Sequence, residues 1–525
     1  MRMTNKIMQN NSLYNINQNK VLQDKLSTQM STQKELTRPS DDPVVAIRAL
    51  RLRSSVSEIT QYYKKNSPDA ESWLKVTSDG LGTVTDILTD ISTNANKGAN
   101  KDLTADDLDI IVTNMKSLTE EFYSTGNLDY AGRYVFTGYR TDTPMQFTAQ
   151  DIAEGKIPQY KITEQFKMDS IDTVAYTNIG KLDGITSSNV SDGTHSETEQ
   201  NITTDTIHRL RLAYDKIEPG KTLQLESYAS GTTGWSTTIA DADIAAGEDP
   251  YQMIIDANES DEEKFVYIPE TGEILMSNKA YDKMFAESKA AGEDKQEFRI
   301  TYDKDEWKNQ DLRPEHYFTC TTTTHDVPST STKYNKEYLD DLAVNKEKQV
   351  IAYDVGYNQT IEVNTTADEV FTHELHRDIE DLEKALEELK NISDIRLTID
   401  NKLKALEEGS DGYKELKNAY DAADKAYTYI RQNMHDLMGD TIKKVQGYLD
   451  VTNVAVTDNG TRMSRLDLIS NRLMEQQTTF RTLQSENEDV DIADVAINLS
   501  SAELTYNSSL MATSKIMQTT LMNYI

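Results

Sequence analysis

At 525 residues the chain has room for about three to four domains of ~150 residues each. With 37% hydrophobic and 27% charged residues it is too apolar for a disordered chain and lean for one spherical core, which favours an elongated molecule with much solvated helix surface. Eighty-eight acids against 55 bases leave a net charge of −33, which argues against nucleic acid or anionic membrane as a partner, and no run of ~18 apolar residues exists to span a bilayer.

The first twenty residues, MRMTNKIMQNNSLYNINQNK, contain no apolar core segment, so no cleavable signal peptide is expected. The first helix candidate carries Leu13, Ile16, Val21, Leu22, Leu26 and Met30 among Asn17, Asn19, Gln23, Gln29 and Gln33. One such helix buries too little apolar surface to offset its ordering entropy. It is expected to order only when a C-terminal helix and neighbouring subunits cover it, which is folding coupled to polymerisation. The Arg38-Pro39 step breaks this helix from the next. Asp41 or Asp42 then caps a helix opening at Pro43.

From there Leu52, Val56, Ile59, Tyr63, Asn66, Ala70, Trp73, Thr77, Leu81, Val84, Leu88, Ile91 and Ala95 follow at steps of three or four, the face of a long α-helix. Ser67-Pro68-Asp69 lies inside this seam and predicts a kink or a restart. A second helix is predicted from the Thr104 cap through Leu108, Ile111, Met115, Leu118 and Phe122 to Gly126-Asn127, completing an antiparallel helical hairpin. The segment 148–350 reads instead as an inserted β-rich region. Its clearest signature is a hairpin of Lys264–Ile268 and Glu273–Met276 about Pro269-Glu270-Thr271-Gly272.

Helical spacing returns in a charged tract from about Ala367 to Val456, interrupted at Glu408–Gly412, and a further helix is predicted through Met463, Leu466, Leu473 and Phe480. The last stripe runs Ile492, Val495, Leu499, Ala502, Tyr506, Leu510, Thr513, Met517, Leu521 and Tyr524. Helical ends around a β-rich insertion imply that the two ends pair. Residues 1–60 hold nine bases and five acids and residues 461–525 five bases and eight acids, so the ends are nearly neutral while the body carries the negative charge. Packing of the N- and C-terminal rods is assigned to Leu52, Val56, Ile59, Trp73, Leu81, Val84, Leu88, Leu466, Leu473 and Phe480. Subunit contacts are assigned to Leu13, Ile16, Leu22, Leu26, Leu499, Tyr506, Leu510, Met517 and Leu521.

Candidate chemistry is sparse. His373-Glu374-Leu375-His376 spaces its histidines by three, where a zinc helix needs four, so a surface helix is the reading. Asp489, Asp491 and Asp494 lack the turn glycine and further ligands of a cation loop and read as a helix N-terminal cluster. Lys64-Lys65 reads as solvated helix, and Met511, Met517, Met522 and Tyr524 as packing. Cys320, the one cysteine, stands among threonines with no base nearby and can form no intramolecular disulfide. No phosphate loop or nucleophile elbow occurs. No catalytic, cofactor or metal site is expected, and no enzyme activity.

Leu22–Leu81 (LQDKLSTQMSTQKELTRPSDDPVVAIRALRLRSSVSEITQYYKKNSPDAESWLKVTSDGL) resembles the N-terminal region of the flagellin superfamily. Ala131–Phe147 (AGRYVFTGYRTDTPMQF) resembles the segment that sets hook–filament junction proteins, the FlgL type, apart from flagellins. The motif residues are Ser40, Asp41, Asp42 and Pro43 at a first bend, a strand with Tyr134, Phe136 and Gly138, and a turn ending in Pro144; Ile361–Asn364 and the closing SLMATSKIMQTTLMNYI fit as well. The resemblance covers 1–147 and 350–525 and implies a flagellin-like architecture. Residues 1–36 with 492–525 would form a terminal coiled coil (D0-like), 37–147 with 351–491 a helical rod (D1-like), and 148–350 an outer domain. It also implies export of the unfolded chain through the flagellar channel, assembly into a ring of like subunits at the end of the hook, and adaptation of hook to filament. The partners implied are a FlgK-type hook-associated protein, flagellin and a FlgN-type export chaperone. A flagellin proper, a secreted enzyme with its activity in the insertion, and a non-flagellar coiled-coil adhesin remain as alternatives.

Overall fold

The computed structural model describes residues 5–36, 38–40, 42–155, 157–190, 197–229, 232–239, 249–291, 296–324, 327–333 and 349–518. They fall into two compact units. One combines 1–71, 353–361 and 464–525; the other combines 72–352 and 362–463. The helices are α1 (Asn5–Thr32), α2 (Pro43–Gln61), α3 (Ser67–Gly98), α4 (Ala105–Thr125), α5 (Ala149–Ala153), α6 (Pro250–Glu259), α7 (Asn278–Ala291), α8 (Glu374–Leu403), α9 (Asp411–Glu488) and α10 (Ile492–Gln518). Long N- and C-terminal helices pack together, and a β-rich region is inserted between them.

Local chemistry accounts for the helix boundaries. Asp42 caps α2 by accepting from the Val44 and Val45 amides at 2.9 and 3.2 Å, with Pro43 in the first turn. Asp41 lies outside the described residues. Pro68 is absorbed by a wide turn: Tyr62–Asn66 is π-helical, and the Ser67 amide donates to the Tyr62 carbonyl five residues back. The wider ring gives room at the position where a proline lacks its donor and crowds the preceding turn. Thr104 and Asp107 form a reciprocal capping box at α4. Gly409, with φ +98°, sits in the break between α8 and α9.

Two expectations are corrected. The tract ending near Val456 and the helix through Met463 are one helix, α9, because Asn459-Gly460 does not break it. Asn459 is buried and donates from Nδ2 to the Leu74 carbonyl at 3.0 Å, so its amide is engaged sideways and does not compete for its own backbone. The expected strand over Tyr134–Gly138 is shorter, since only Arg133–Tyr134 is extended. The Tyr134 amide donates to the Thr141 carbonyl and the Val135 amide to the Leu128 carbonyl, which folds the chain back at Gly138 (φ +61°) and drives Phe136 inward.

The helical part of the second unit buries Trp73, Leu81, Val84 and Leu88 of α3, Leu108, Met115 and Phe122 of α4, Leu375, Leu382 and Leu389 of α8, and Met434, Met438 and Val445 of α9. Phe371 stands edge-on to both Phe122 and Phe136, at 5.2 and 5.0 Å. Lys116–Glu383 and Lys390–Asp109, both at 2.8 Å, tie α4 to α8 at the surface.

The strands are β1 (Asp129–Tyr130), β2 (Arg133–Tyr134), β3 (Gln159–Phe166), β4 (Asp172–Asn178), β5 (Thr203–Arg211), β6 (Leu223–Ala229), β7 (Thr232–Ile239), β8 (Phe265–Ile268), β9 (Glu273–Met276), β10 (Gln296–Lys304), β11 (Thr319–Thr324), β12 (Val327–Lys333), β13 (Ala352–Gly356) and β14 (Gln359–Glu362). Among the described residues the insertion holds two antiparallel sheets, of order β12-β11-β3-β10-β6-β7 and β4-β5-β9-β8. β8 and β9 form the anticipated hairpin, and Gly272 (φ +63°) is required there because a Cβ would lie 2.1 Å from the Tyr214 carbonyl oxygen. The helices α6 and α7 were not anticipated in this stretch. Ile254 and Ile255 of α6 pack on Ile207, Val266 and Leu275 of the four-stranded sheet.

Replacing Phe371 by Ala removes the ring shared by Phe122 and Phe136 and should cost about 3–5 kcal/mol in chemical denaturation. Glu164 on β3 is buried and accepts from the Tyr302 hydroxyl and the Ala213 amide; burial pushes its carboxyl up to about 7. An unfolded glutamate titrates near ~4.3, so the native state binds this proton more tightly, and the stabilisation present below that pH is lost as pH rises to neutrality. Glu164→Gln should therefore flatten the fall in stability between pH 5 and pH 8, by roughly 3 kcal/mol, in denaturation midpoints taken at the two values.

Candidate assembly surface

Within the first unit α1 and α10 run antiparallel. Leu26 is buried against Val495 and Ala502, with Leu499 and Val490 packed alongside. Further along, the Asn19 amide donates to Ser509 Oγ at 3.1 Å. The apolar content of this contact is small, as the thin α1 seam requires: Ile16 and Leu26 are the apolar side chains of α1 that are buried among the described residues.

The pair is closed at one end by a clasp. Gln33 takes a left-handed conformation (φ +57°) after α1, and the chain then runs beside the α9–α10 junction. The Glu35 amide donates to the Glu488 carbonyl at 2.8 Å and the Val490 amide to the Gln33 carbonyl at 3.2 Å. Buried Gln29 donates to the Glu35 carbonyl at 2.7 Å. Arg53 of α2 grips the Glu488 carboxylate with Nε at 2.6 Å and Nη2 at 2.7 Å, and Lys34 pairs with both Glu488 and Asp489. The Arg53 hydrogen bonds, then its charge and Lys34, hold the Glu488 carboxyl below its ordinary range.

The outward faces are apolar. Ile7, Tyr14 and Val21 on α1 are 48%, 64% and 66% exposed, and Ile497, Leu504 and Met511 on α10 are 67%, 69% and 71% exposed. Each set recurs at intervals of seven, one side of a helix, which is the seam of a coiled coil that nothing in this chain covers among the described residues.

Of the residues assigned to subunit contacts, Ile16 and Leu26 are buried within the chain, Leu499 packs beside Val495 and Ala502, and Tyr506 is half-buried. Leu13, Leu22 and Leu510 are exposed; the Met517 side chain and Leu521 lie outside the described residues. Of the rod residues, Leu52, Val56, Ile59 and Phe480 are half-buried, while Leu466, Leu473, Trp73, Leu81, Val84 and Leu88 are buried. Ser40 and Pro43 are exposed, and Tyr134 and Pro144 are half-buried. The seven-residue stripe on α10 escaped the sequence reading because the inward stripe through Val495 and Ala502 has the stronger three-four spacing. The interval between Ile497, Leu504 and Met511 was the available signal.

A second polar centre, within the second unit, was also missed. Arg209 on β5 donates to Glu273 at 2.8 Å and to Asp381 at 2.6 Å. Arg211 reaches Asp381 at 2.9 Å and Asp378 at 2.5 Å, and Lys444 and Tyr448 of α9 reach Asp378 at 2.9 and 2.7 Å. Burial opposes ionisation of Asp381, but Arg209 and Arg211 prevail and hold its carboxyl down to about 2. The network fastens β5 to α8 and α9. Its trace in sequence is Arg-x-Arg on one strand face and Asp378-x-x-Asp381 on one helix face.

His376 pairs with Glu380 at 3.2 Å, while His373 stands edge-on to Phe318 at 5.1 Å. Asp491 caps α10 through the Ala493 amide at 2.8 Å, and Asp489 belongs to the clasp. Cys320 is buried. Among the described residues no three His, Cys, Asp or Glu side chains are grouped to hold a metal, and no helix is long and apolar enough to cross a membrane.

Residues 3–141 match the bacterial flagellin N-terminal helical region. Flagellar hook-associated protein 3 of Salmonella typhimurium is 26% identical over 203 residues, 38% of this chain and 63% of that protein. Flagellar hook-associated protein 3 of Escherichia coli is 26% identical over 201 residues, 38% of this chain and 62% of that protein. The chain thus spans somewhat under two thirds of the curated relatives it matches. The crystal structure of FlgL from Xanthomonas campestris aligns at a TM-score of 0.30 and 11% identity, over 83% of this chain and 99% of that one. The N-terminal region of the chain is thus similar to the bacterial flagellin N-terminal helical region, and part of the chain is similar to flagellar hook-associated protein 3.

If Glu488 holds the clasp, Glu488→Gln should speed amide exchange about fivefold at residues 27–36 and 488–495 at neutral pH, read by mass spectrometry. Because the Glu488 carboxyl lies lower in the folded chain than in the unfolded one, the wild-type clasp is in place at neutral pH. It loosens as pH falls through and below the ordinary carboxylate range, and the variant should show little of that pH dependence.

Proposed function

We propose that this protein is a structural subunit of the bacterial flagellum that adapts the hook to the filament at the hook–filament junction. The observation that carries the reading is the pair of uncovered apolar seams on α1 and α10, Ile7-Tyr14-Val21 and Ile497-Leu504-Met511. An antiparallel pair that buries so few apolar side chains gains most by burying those seams against like helices, so ordering and assembly proceed together. The likeness to hook-associated protein 3 supports this reading.

Copies of the same chain would flank each subunit in a ring, with a FlgK-type hook-associated protein on the hook side and flagellin on the filament side. Before assembly the exposed seams would need a cover, the role of a FlgN-type chaperone on the C-terminal helix. Export would proceed through the flagellar channel without cleavage of the N-terminus, leaving the protein outside the cell. The match of residues 3–141 to the flagellin helical region favours a second reading, a filament subunit.

A deletion strain separates the two. Loss of a junction subunit should leave hooks and release flagellin into the medium, whereas loss of a filament subunit leaves hooks without released flagellin. Leu504→Lys with Ile497→Lys, both at exposed positions, should leave the monomer's circular dichroism unchanged and reproduce the deletion phenotype. Normal motility in this double variant would overturn the assignment of the α10 seam.

A further inference from the structure

We propose that the outer edge of β4 is a docking site for an extended, cationic segment of a partner protein. β4 closes one end of the four-stranded sheet, and among the described residues its backbone pairs with β5 alone. Alternate residues of such a strand turn their N–H and C=O groups away from the sheet, where another strand can take them up.

A cavity of about 540 Å³ follows this edge. Val174 and Tyr176 pack into the core beneath α6, and Ala175 and Thr177 alternate onto the opposite face, yet all four line the cavity with Asn178. Space that touches both faces of a strand runs along its edge. Five lining residues correspond to roughly 17 Å of strand at ~3.4 Å per residue. The far wall is formed by α8 and α9, through Glu388, Asn391 and Asn433.

Charge selects the occupant. Arg209 is consumed by Glu273 and Asp381, and Lys384 by Glu273 and the Tyr251 hydroxyl at 3.5 and 3.2 Å. Asp183 and Glu388 also line the cavity and make no ion pair among the described residues, while Asp249 beside them caps α6 through the Tyr251 amide and accepts from the Tyr176 hydroxyl. Tyr176 stacks on Tyr251 with ring centres 5.3 Å apart, adding an aromatic wall for the aliphatic stem of a lysine or arginine. Main-chain groups to pair and carboxylates to neutralise together fit a β-strand with basic side chains.

The test uses the full chain and a fluorescent, N-acetylated heptapeptide of alternating Lys and Val, read by anisotropy. Saturable binding is expected, weakening with salt and at least tenfold weaker to the Asp183→Asn, Glu388→Gln double variant. The same peptide N-methylated on alternate amides should not bind, nor should its Glu-for-Lys counterpart. No saturable binding, equal binding of the N-methylated peptide, or an unchanged affinity in the double variant would overturn the proposal. Displacement of the heptapeptide by spermine at equal charge concentration would also overturn it, by marking a site for soluble polyamines in place of a strand. The peptide controls leave the protein unaltered, so they hold even if the double variant is unstable.

Discussion

The antiparallel contact between α1 and α10 is the constraint on which the first unit depends. Leu26, Val495 and Ala502 form its buried centre, and each helix alone is too polar to repay its ordering entropy. Within the described residues α1 and α10 therefore each rely on the other for apolar burial. The clasp at Glu488 reinforces this dependence, since it joins the chain leaving α1, the middle of α2 and the α9–α10 junction through one carboxylate and two backbone hydrogen bonds. What the pair leaves uncovered is as informative as what it buries: two apolar stripes of seven-residue spacing stay exposed among the described residues.

The second unit is organised differently. Its helices close over a conventional apolar core with Trp73, Phe122, Phe136 and Phe371 at well-buried positions, and its four-stranded sheet is joined to them by the ion network of Arg209, Arg211, Asp378 and Asp381. Buried ion pairs of this kind add little net stability over apolar packing, but removing one partner is costly because it leaves the other charge buried and unpaired. The strong acidity of the chain is thus spent unevenly. Some carboxylates are neutralised inside, while Asp183, Asp249 and Glu388 remain around an open sheet edge.

Much of this was legible in residue order because helices announce themselves locally. The seam from Leu52 to Ala95, the Thr104 cap, the Asp42-Pro43 start and the Gly409 break all act within a turn or two of chain. Pro68 was legible as a disturbance, but not as a π-helical turn, since that outcome depends on which neighbouring carbonyls are free to shift. The continuity of α9 through Asn459-Gly460 was hidden for a related reason: the partner that occupies the Asn459 amide, the Leu74 carbonyl, lies hundreds of residues away in the chain.

By itself the sequence determined the helical ends, the β-rich insertion and the hairpin at Gly272, because periodicity, capping and turn chemistry are short-range properties. Only the tertiary structure decided which apolar face of α10 is used within the chain and which is left outside, how the strands order into two sheets, and which acids find a cation. Those outcomes are set by pairings between residues far apart in the chain, and short-range spacing holds no information on who meets whom.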